Sequence, residues 1–269
     1  MDVDAHREAR SRSFDDAVEE YEATRPGYPA EVFDEIAARV APPADVLEFG
    51  PGTGQATGAL LERGYRVLAI EQGPRLAARL VSKFSGPGLT RHVGRLEDWP
   101  IRTAAFDLAA AFSAFHWLQP GEGYRILATA LRPGGWLAHA WNEPSNPQPL
   151  RNTFEADVQP IYRRCAPMLA LDAPHGPAGR PGEDHDRRGE IAASGYFEQR
   201  VERLSFPWSR RLDTATYLRL LDTYSGHRQL ATDQRQCLHD GIARLLDERF
   251  GGEYLEERNA ILYLARRPA

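Results

Sequence analysis

The chain has 269 residues, 42% of them hydrophobic and 26% charged, and carries a net charge of −5 at neutral pH. That length suits one large α/β domain with appendages, which buries roughly three quarters of its unfolded surface and needs neither disulfides nor a structural metal. The acidic balance supplies no basic excess for DNA, RNA or an anionic membrane, and no apolar run approaches a membrane span.

Met1 to Arg12 alternates charges and lacks the apolar stretch of a signal peptide, so a soluble, cytoplasmic protein is expected. Cys165 and Cys237, the only cysteines, are far apart in sequence; they could pair, but two buried or idle thiols are the favoured expectation. Lys83 is the sole lysine among 33 basic residues, a skew that fits a GC-rich bacterial genome and carries no chemistry.

In chain order, the spacing of Phe14, Val18 and Tyr21, then Val32, Phe33, Ile36 and Val40, predicts two helices broken at Arg25–Pro29. A βα alternation follows: strand Val46–Gly50, helix Gly54–Arg63, strand Arg66–Glu71, helix Pro74–Lys83 and strand Leu89–Gly94. Phe106–Phe112 reads as a strand covered on both faces, Gly121–Leu131 as a helix stopped by Pro133-Gly134-Gly135, and Trp136–Trp141 as a fifth strand. Such alternation implies a parallel sheet with right-handed crossovers. The pattern breaks at Asn142, with a loop over residues 143–149, a helical stretch Thr153–Leu171 interrupted at Pro160 and Pro167, and a loop over 172–190. Strand Tyr196–Phe206, helices Thr214–Leu221 and Asp233–Glu248, and strand Arg258–Arg266 close the chain.

The strongest local feature is Val46-Leu47-Glu48-Phe49-Gly50-Pro51-Gly52-Thr53-Gly54-Gln55, a glycine-rich turn between the first strand and its helix. A backbone free of side chains approaches a ligand there, beside the free N–H groups of a helix start. A dinucleotide fingerprint requires a third glycine where Gln55 stands. Glu48, near the turn, suits an ammonium and repels a pyrophosphate, which favours S-adenosylmethionine as the adenosine cofactor. Glu71 ends the second strand, 17 residues after Gly54, where a carboxylate accepts both ribose hydroxyls in either cofactor class. Gly94–Pro100 follows the third strand and falls beside the adenine edge, with an ordinary polar loop as the plainer explanation.

Together with Ala69-Ile70-Glu71, Phe106-Asp107-Leu108, Ala114-Phe115-His116-Trp117 and Leu131–Gly135, these residues resemble class I S-adenosylmethionine-dependent methyltransferases. The chain is most similar to the bacterial branch that includes trans-aconitate methyltransferases, whose entry segment resembles Tyr21–Pro29; Thr223–Arg228 and Leu262–Arg267 fit it too. The resemblance implies a Rossmann-like, seven-stranded, mostly parallel sheet with an antiparallel last strand, helices on both faces and a helical and loop cap. It implies that Glu48, Gly50, Gly52 and Gly54 line the methionine portion, Glu71 and Gln72 the ribose, and Leu96 and Glu97 the adenine. Ser113 and His116 fall near the donor methyl, with His116 as base or positioning group, or as part of a packing motif. Arg95 stands where many relatives carry aspartate, which makes Glu97 the substitute at the adenine.

Four segments are expected within one structural domain: a helical lid over residues 1–40, a cofactor-binding core over 41–142, a cap insertion over 143–195, and sheet completion with cap helices over 196–269. Tyr21, Arg25, Tyr28, Trp117, Trp141, Tyr224, Ser225 and His227 are the candidate acceptor walls. The aromatic residues Phe154, Tyr162, Phe197, Phe206, Trp208, Tyr217 and Tyr224 suggest a partly apolar acceptor or plain packing. Arg25, Arg210, Arg211 and Arg228 offer guanidinium groups to an acidic one. His175, Asp184, His185 and Asp186 lack metal-site spacing and read as a solvated loop, so no metal is expected. The expected function is methyl transfer to a small-molecule acceptor, with S-adenosylhomocysteine as product and no nucleic-acid or membrane partner. A non-catalytic S-adenosylmethionine-binding protein and a nicotinamide-dependent oxidoreductase are the alternatives. A nucleic-acid methyltransferase is disfavoured by the acidic balance and by the lack of an Asn/Asp-Pro-Pro-aromatic tetrapeptide.

Overall fold

The computed structural model describes Asp15 and residues 18–144, 153–170 and 186–269. Its centre is β1 (Asp45–Phe49), flanked by β2 (Arg66–Glu71) and β4 (Phe106–Phe112) in parallel register, with Val46 opposite both Val67 and Leu108. β3 (Leu89–Val93) extends one side; β5 (Leu131–Pro144), β7 (Glu253–Arg266) and β6 (Glu202–Asp213) extend the other. The seven strands run in the order β3-β2-β1-β4-β5-β7-β6, and β7 alone runs opposite to the other six. Both expectations, a mostly parallel Rossmann-like sheet and a reversed last strand, are met.

Side-chain alternation along β1 sends its apolar residues to both faces of the sheet. Leu47 and Phe49 join the core formed with Phe115, Tyr124 and Leu127, while Val46 joins Phe33, Ile36 and Leu60 on the opposite face. α1 (Val18–Thr24) packs mainly on other helices, and the helices covering these faces are α2 (Ala30–Arg39), α3 (Thr57–Glu62), α4 (Pro74–Lys83) and α5 (Pro120–Ala130). A third core, built on Phe154, Tyr162, Leu220, Leu238 and Ile242, unites α6 (Thr153–Cys165), α8 (Thr214–Leu221) and α10 (Thr232–Arg249). The short helices α7 (Arg188–Ala193) and α9 (Ser225–Arg228) complete the set. The strand order diverges between β1 and β4, so their carboxyl ends frame the crevice where open α/β sheets bind ligands.

Several boundaries differ from expectation. α6 runs unbroken through Pro160, and a single 3-10 turn, Pro167–Leu169, follows it. β5 begins at Leu131, includes Pro133-Gly134-Gly135, and continues past Trp141 to Pro144. β7 starts at Glu253, five residues before the expected Arg258, and β6 is displaced towards the C-terminus to Glu202–Asp213. The two strands sustain each other by pairing from Asp213–Glu253 to Glu202–Leu264, a partnership that local periodicity does not record. Pro207 is tolerated because β6 is an edge strand and one side of its backbone needs no partner.

The expectation of two separate thiols is overturned. Cys165 and Cys237 form a disulfide, with Cα atoms 5.5 Å apart, that ties the end of α6 to α10. A sequence separation of 72 residues hides their proximity, which arises because α6 and α10 pack side by side in the third core.

Candidate active site

The turn after β1 holds three glycines in left-handed backbone, Gly50 at φ 62°, Gly52 at φ 60° and Gly54 at φ 93°. Each faces a different neighbour. A Cβ on Gly50 would lie 2.6 Å from that of Ala114, so the ends of β1 and β4 close together only without it. At Gly54 the same atom would fall 2.5 Å from the Phe84 ring, so this glycine lets α4 pack against the turn. Only Gly52 faces the crevice, where a Cβ would come within 3.2 Å of the Tyr21 ring.

Two buried carboxylates flank this turn. Glu48 accepts a hydrogen bond from the Thr57 hydroxyl to Oε2 at 2.7 Å, while its Oε1 is buried without a partner among the described residues. Burial drives its pKa up to about 7, and the nearby Glu71 adds to the rise. Glu71 is clamped at both oxygens: Gly52 N–H donates to Oε2 at 3.0 Å and Gly73 N–H to Oε1 at 2.8 Å. Its pKa is raised by burial, against the pull of those two amides. Each clamped oxygen keeps a second lone pair for another donor.

The crevice is covered by the N-terminal segment. Asp15 Oδ1 accepts from the Arg75 and Leu76 amides at 2.8 and 2.9 Å, anchoring the segment at the start of α4 beside Glu71. Tyr28 hydrogen-bonds Ser113 Oγ at 2.7 Å and packs edge-on against Phe112, 5.1 Å between ring centroids. Ser113 is held at φ 53° as β4 ends, with its amide bonded to Ala140 O at 2.7 Å. A non-glycine residue in that region is strained, a common mark of ligand-binding positions. His116 follows in the 3-10 turn Phe115–Trp117, exposed, 4.8 Å from the Trp117 ring.

The third element at this end is α8–α9. Arg25 donates from Nε to Thr223 Oγ1 at 3.0 Å and from a terminal nitrogen to Thr223 O at 2.9 Å, and its guanidinium lies 4.6 Å from the Tyr224 ring. Asn142 joins the sheet to the same segment, donating to Gly27 O at 3.0 Å and accepting from Trp208 Nε1 at 2.8 Å. Thus the structure brings Glu48, Gly52, Glu71, Tyr21, Tyr28, Ser113 and, through Arg25, Tyr224 to one end of the sheet. Gln72 and Glu97 stand half-buried at the ends of β2 and after β3, and Leu96 is fully buried in the core. Arg95, which replaces the expected aspartate, turns towards Glu97 at 3.5 Å.

Two other expected wall residues, Trp141 and His227, are engaged in packing. Trp141 is buried against His139 and Tyr263, with the Arg187 guanidinium 4.3 Å from its ring, so it belongs to the core under α5. His227 bonds Tyr162 Oη at 2.9 Å within the third core, where burial lowers its pKa to about 4. Ser225 opens the short helix α9. Phe154, Tyr217 and Tyr254 pack on one another, Tyr217 to Tyr254 at 4.1 Å, so packing accounts for most of the aromatic residues of this region. Asp186 pairs with Arg188, while His175, Asp184 and His185 lie outside the described residues. Sequence reasoning missed Asp15, Asn142, Glu256 and Arg258. For Asn142 a signal existed, since an amide directly after a buried apolar strand sits where open sheets bind ligands.

The methyltransferase domain family matches residues 47–139, from β1 into β5. An uncharacterized methyltransferase of Mycobacterium tuberculosis is 35% identical over 136 residues, 51% of this chain and 54% of that protein. The chain thus spans about half the length of such curated relatives. An uncharacterized methyltransferase of Geobacillus thermodenitrificans is 32% identical over 152 residues, 54% of this chain and 69% of its own length. The fold is shared with phosphoethanolamine N-methyltransferase 2 of Haemonchus contortus, solved with phosphomonomethylethanolamine and S-adenosylhomocysteine, at 16% identity. That similarity has a TM-score of 0.54 and covers 95% of this chain and 58% of the other. The chain belongs to the methyltransferase family of Rossmann-like α/β proteins.

Proposed function

We propose that the chain transfers the methyl group of S-adenosylmethionine to a small-molecule acceptor. The observation that carries this reading is the pair Glu48 and Glu71 around Gly52. One buried carboxylate has an oxygen awaiting a donor, and the other is fixed by two amides with lone pairs to spare. These groups suit an ammonium and a ribose diol respectively, and the glycine-rich turn between them carries no phosphate-binding fingerprint. When bound, the cofactor supplies a methyl group already activated on a sulfonium, so the chain's own task is alignment and exclusion of water.

In this reading Glu48, Gly50 and Gly52 receive the methionine portion, Glu71 and Gln72 the ribose, and Leu96 and Glu97 the adenine. Gly54 serves the turn through helix packing. The N-terminal segment acts as a lid and α6 with α8–α10 as a cap, meeting at Arg25 and Thr223. Tyr28 and Ser113 mark the opening towards the acceptor. His116, beside them on the turn after β4, orients or deprotonates an acceptor hydroxyl or amine.

Calorimetric titration with S-adenosylhomocysteine, and with NADH in parallel, tests the cofactor directly. Binding of the first alone is expected, weakened at least tenfold by Glu71→Ala and left nearly unchanged by His116→Ala. Binding of NADH without S-adenosylhomocysteine would overturn the reading.

A further inference from the structure

Glu256 is 1% exposed and is gripped from both sides, Oε2 by Arg210 Nε at 2.6 Å and Oε1 by Arg258 Nε at 3.0 Å. One carboxylate therefore meets two guanidinium groups, and the cluster keeps a positive charge. Arg210 spends a terminal nitrogen on Thr24 O at 2.7 Å. Arg258 uses only Nε, and neither of its terminal nitrogens has a partner among the described residues. Its side chain is 21% exposed, and Tyr224 and Tyr254 lie close enough to act on it electrostatically. Arg25, stacked on Tyr224, adds a second cation to the same corner. A guanidinium held by Nε presents its remaining nitrogens as a planar fork, the geometry that matches a carboxylate or a phosphate.

We propose that Arg258 binds an anionic group, carboxylate or phosphate, carried by the methyl acceptor. The inference rests on the reading of the crevice as a methyltransferase site and names the substrate class it takes. Arg258 pairs with Pro144 across β5 and β7, whereas Ser113 bonds Ala140, four residues earlier on β5. Strand rise and spacing put the two Cα atoms about 15 Å apart. The anion is therefore remote from the atom that is methylated, and it is an anchor rather than the nucleophile.

The test uses the full chain loaded with S-adenosylhomocysteine and titrated with 4-phenylbutyrate, its neutral amide, and inorganic phosphate. The acid or the phosphate is expected to bind at least tenfold more tightly than the amide, and whichever binds identifies the anion. Arg258→Gln should abolish that preference and leave S-adenosylhomocysteine affinity within threefold. Arg66→Gln, at a cation 55% exposed and paired with Asp45 at the amino end of the sheet, should change neither. Should the glutamine variant fail to fold, Arg258→Lys decides, because an ammonium cannot reproduce the fork and should lose most of the preference. Equal binding of acid, phosphate and amide to the wild type, or a preference that survives loss of the guanidinium, would overturn the proposal. Failure of S-adenosylhomocysteine to bind the wild type would instead sink the methyltransferase reading, and the anion titrations on the unloaded chain would still judge Arg258.

Discussion

Glu48 and His139 are both buried titratable groups, and they respond to pH with opposite signs. The Glu48 pKa of about 7 means that the free protein holds a proton there through mildly acidic pH, whereas the unfolded chain releases it near 4.5. Its contribution to stability is therefore lost as pH rises from 4.5 towards 7. An ammonium beside Oε1 reverses that preference, so S-adenosylhomocysteine affinity should rise with pH between 6 and 8 and its binding near pH 6.5 should release a proton. Calorimetry in buffers of different ionisation enthalpy measures this; Glu48→Gln should abolish the release and weaken binding about tenfold or more. A flat pH profile in the wild type would separate Glu48 from the cofactor. His139 lies wholly buried between Phe115, Tyr124 and Trp141 with neither ring nitrogen bonded among the described residues, and burial lowers its pKa to about 3. Below pH 6.5 the unfolded imidazole takes a proton that the folded one refuses, which costs roughly 2 kcal/mol by pH 5. His139→Phe should raise the melting temperature at pH 7 and raise it further at pH 5. A variant melting below wild type at both values would mean that the imidazole is satisfied in solution.

At the scale of elements, the disulfide offers the sharpest test. It joins α6 to α10 across 72 residues, so opening it frees a long loop in the unfolded chain, worth about 2–4 kcal/mol. The purified protein should show no titratable thiol until reduced, and Cys165→Ala with Cys237→Ala should lower the melting temperature while β1–β4 retain cofactor binding. Two reactive thiols in the untreated protein would contradict the bond. The same region shows where sequence stops being informative. β1, β2, β4 and α4 were legible because a parallel strand buried on both faces is mostly apolar, with its few charges near its ends, and because Pro74 opens and Lys83 closes its helix. β6 and β7 were blurred because edge and antiparallel strands alternate with charge, and only their mutual pairing sets where they begin. Glu48, Gly52 and Glu71 could be read from strand–turn–helix context. Glu256 and Arg258 could not, since what brings them to the site is a sheet order in which β7 inserts between β5 and β6.

Across the whole molecule, three units meet at the carboxyl end of the sheet, and Arg25 closes the seam between two of them. Its two hydrogen bonds to Thr223 and its stacking on Tyr224 lock the N-terminal segment to α8–α9, while Asn142 and Arg210 hold Gly27 and Thr24 to the strands. Tyr21 and Tyr28 lie on that segment, so the position of the aromatic groups over Gly52 and Ser113 depends on both attachments. Bonds from a charged donor contribute about 1.5–3 kcal/mol each, and even the lower value exceeds a tenfold change in a local opening equilibrium. Arg25→Ala should therefore speed hydrogen exchange in a peptide covering residues 18–29 at least tenfold, and leave the amides of β1 and β4 at wild-type rates. If the segment is a lid over the cofactor, S-adenosylhomocysteine should restore part of the lost protection by closing Tyr21 onto its ligand. Exchange unchanged by the substitution would mean that Asp15, Asn142 and Arg210 suffice to hold the segment, and α8–α9 would then move independently of it. Faster exchange that the ligand leaves untouched would keep the clasp but remove the segment from the cofactor site.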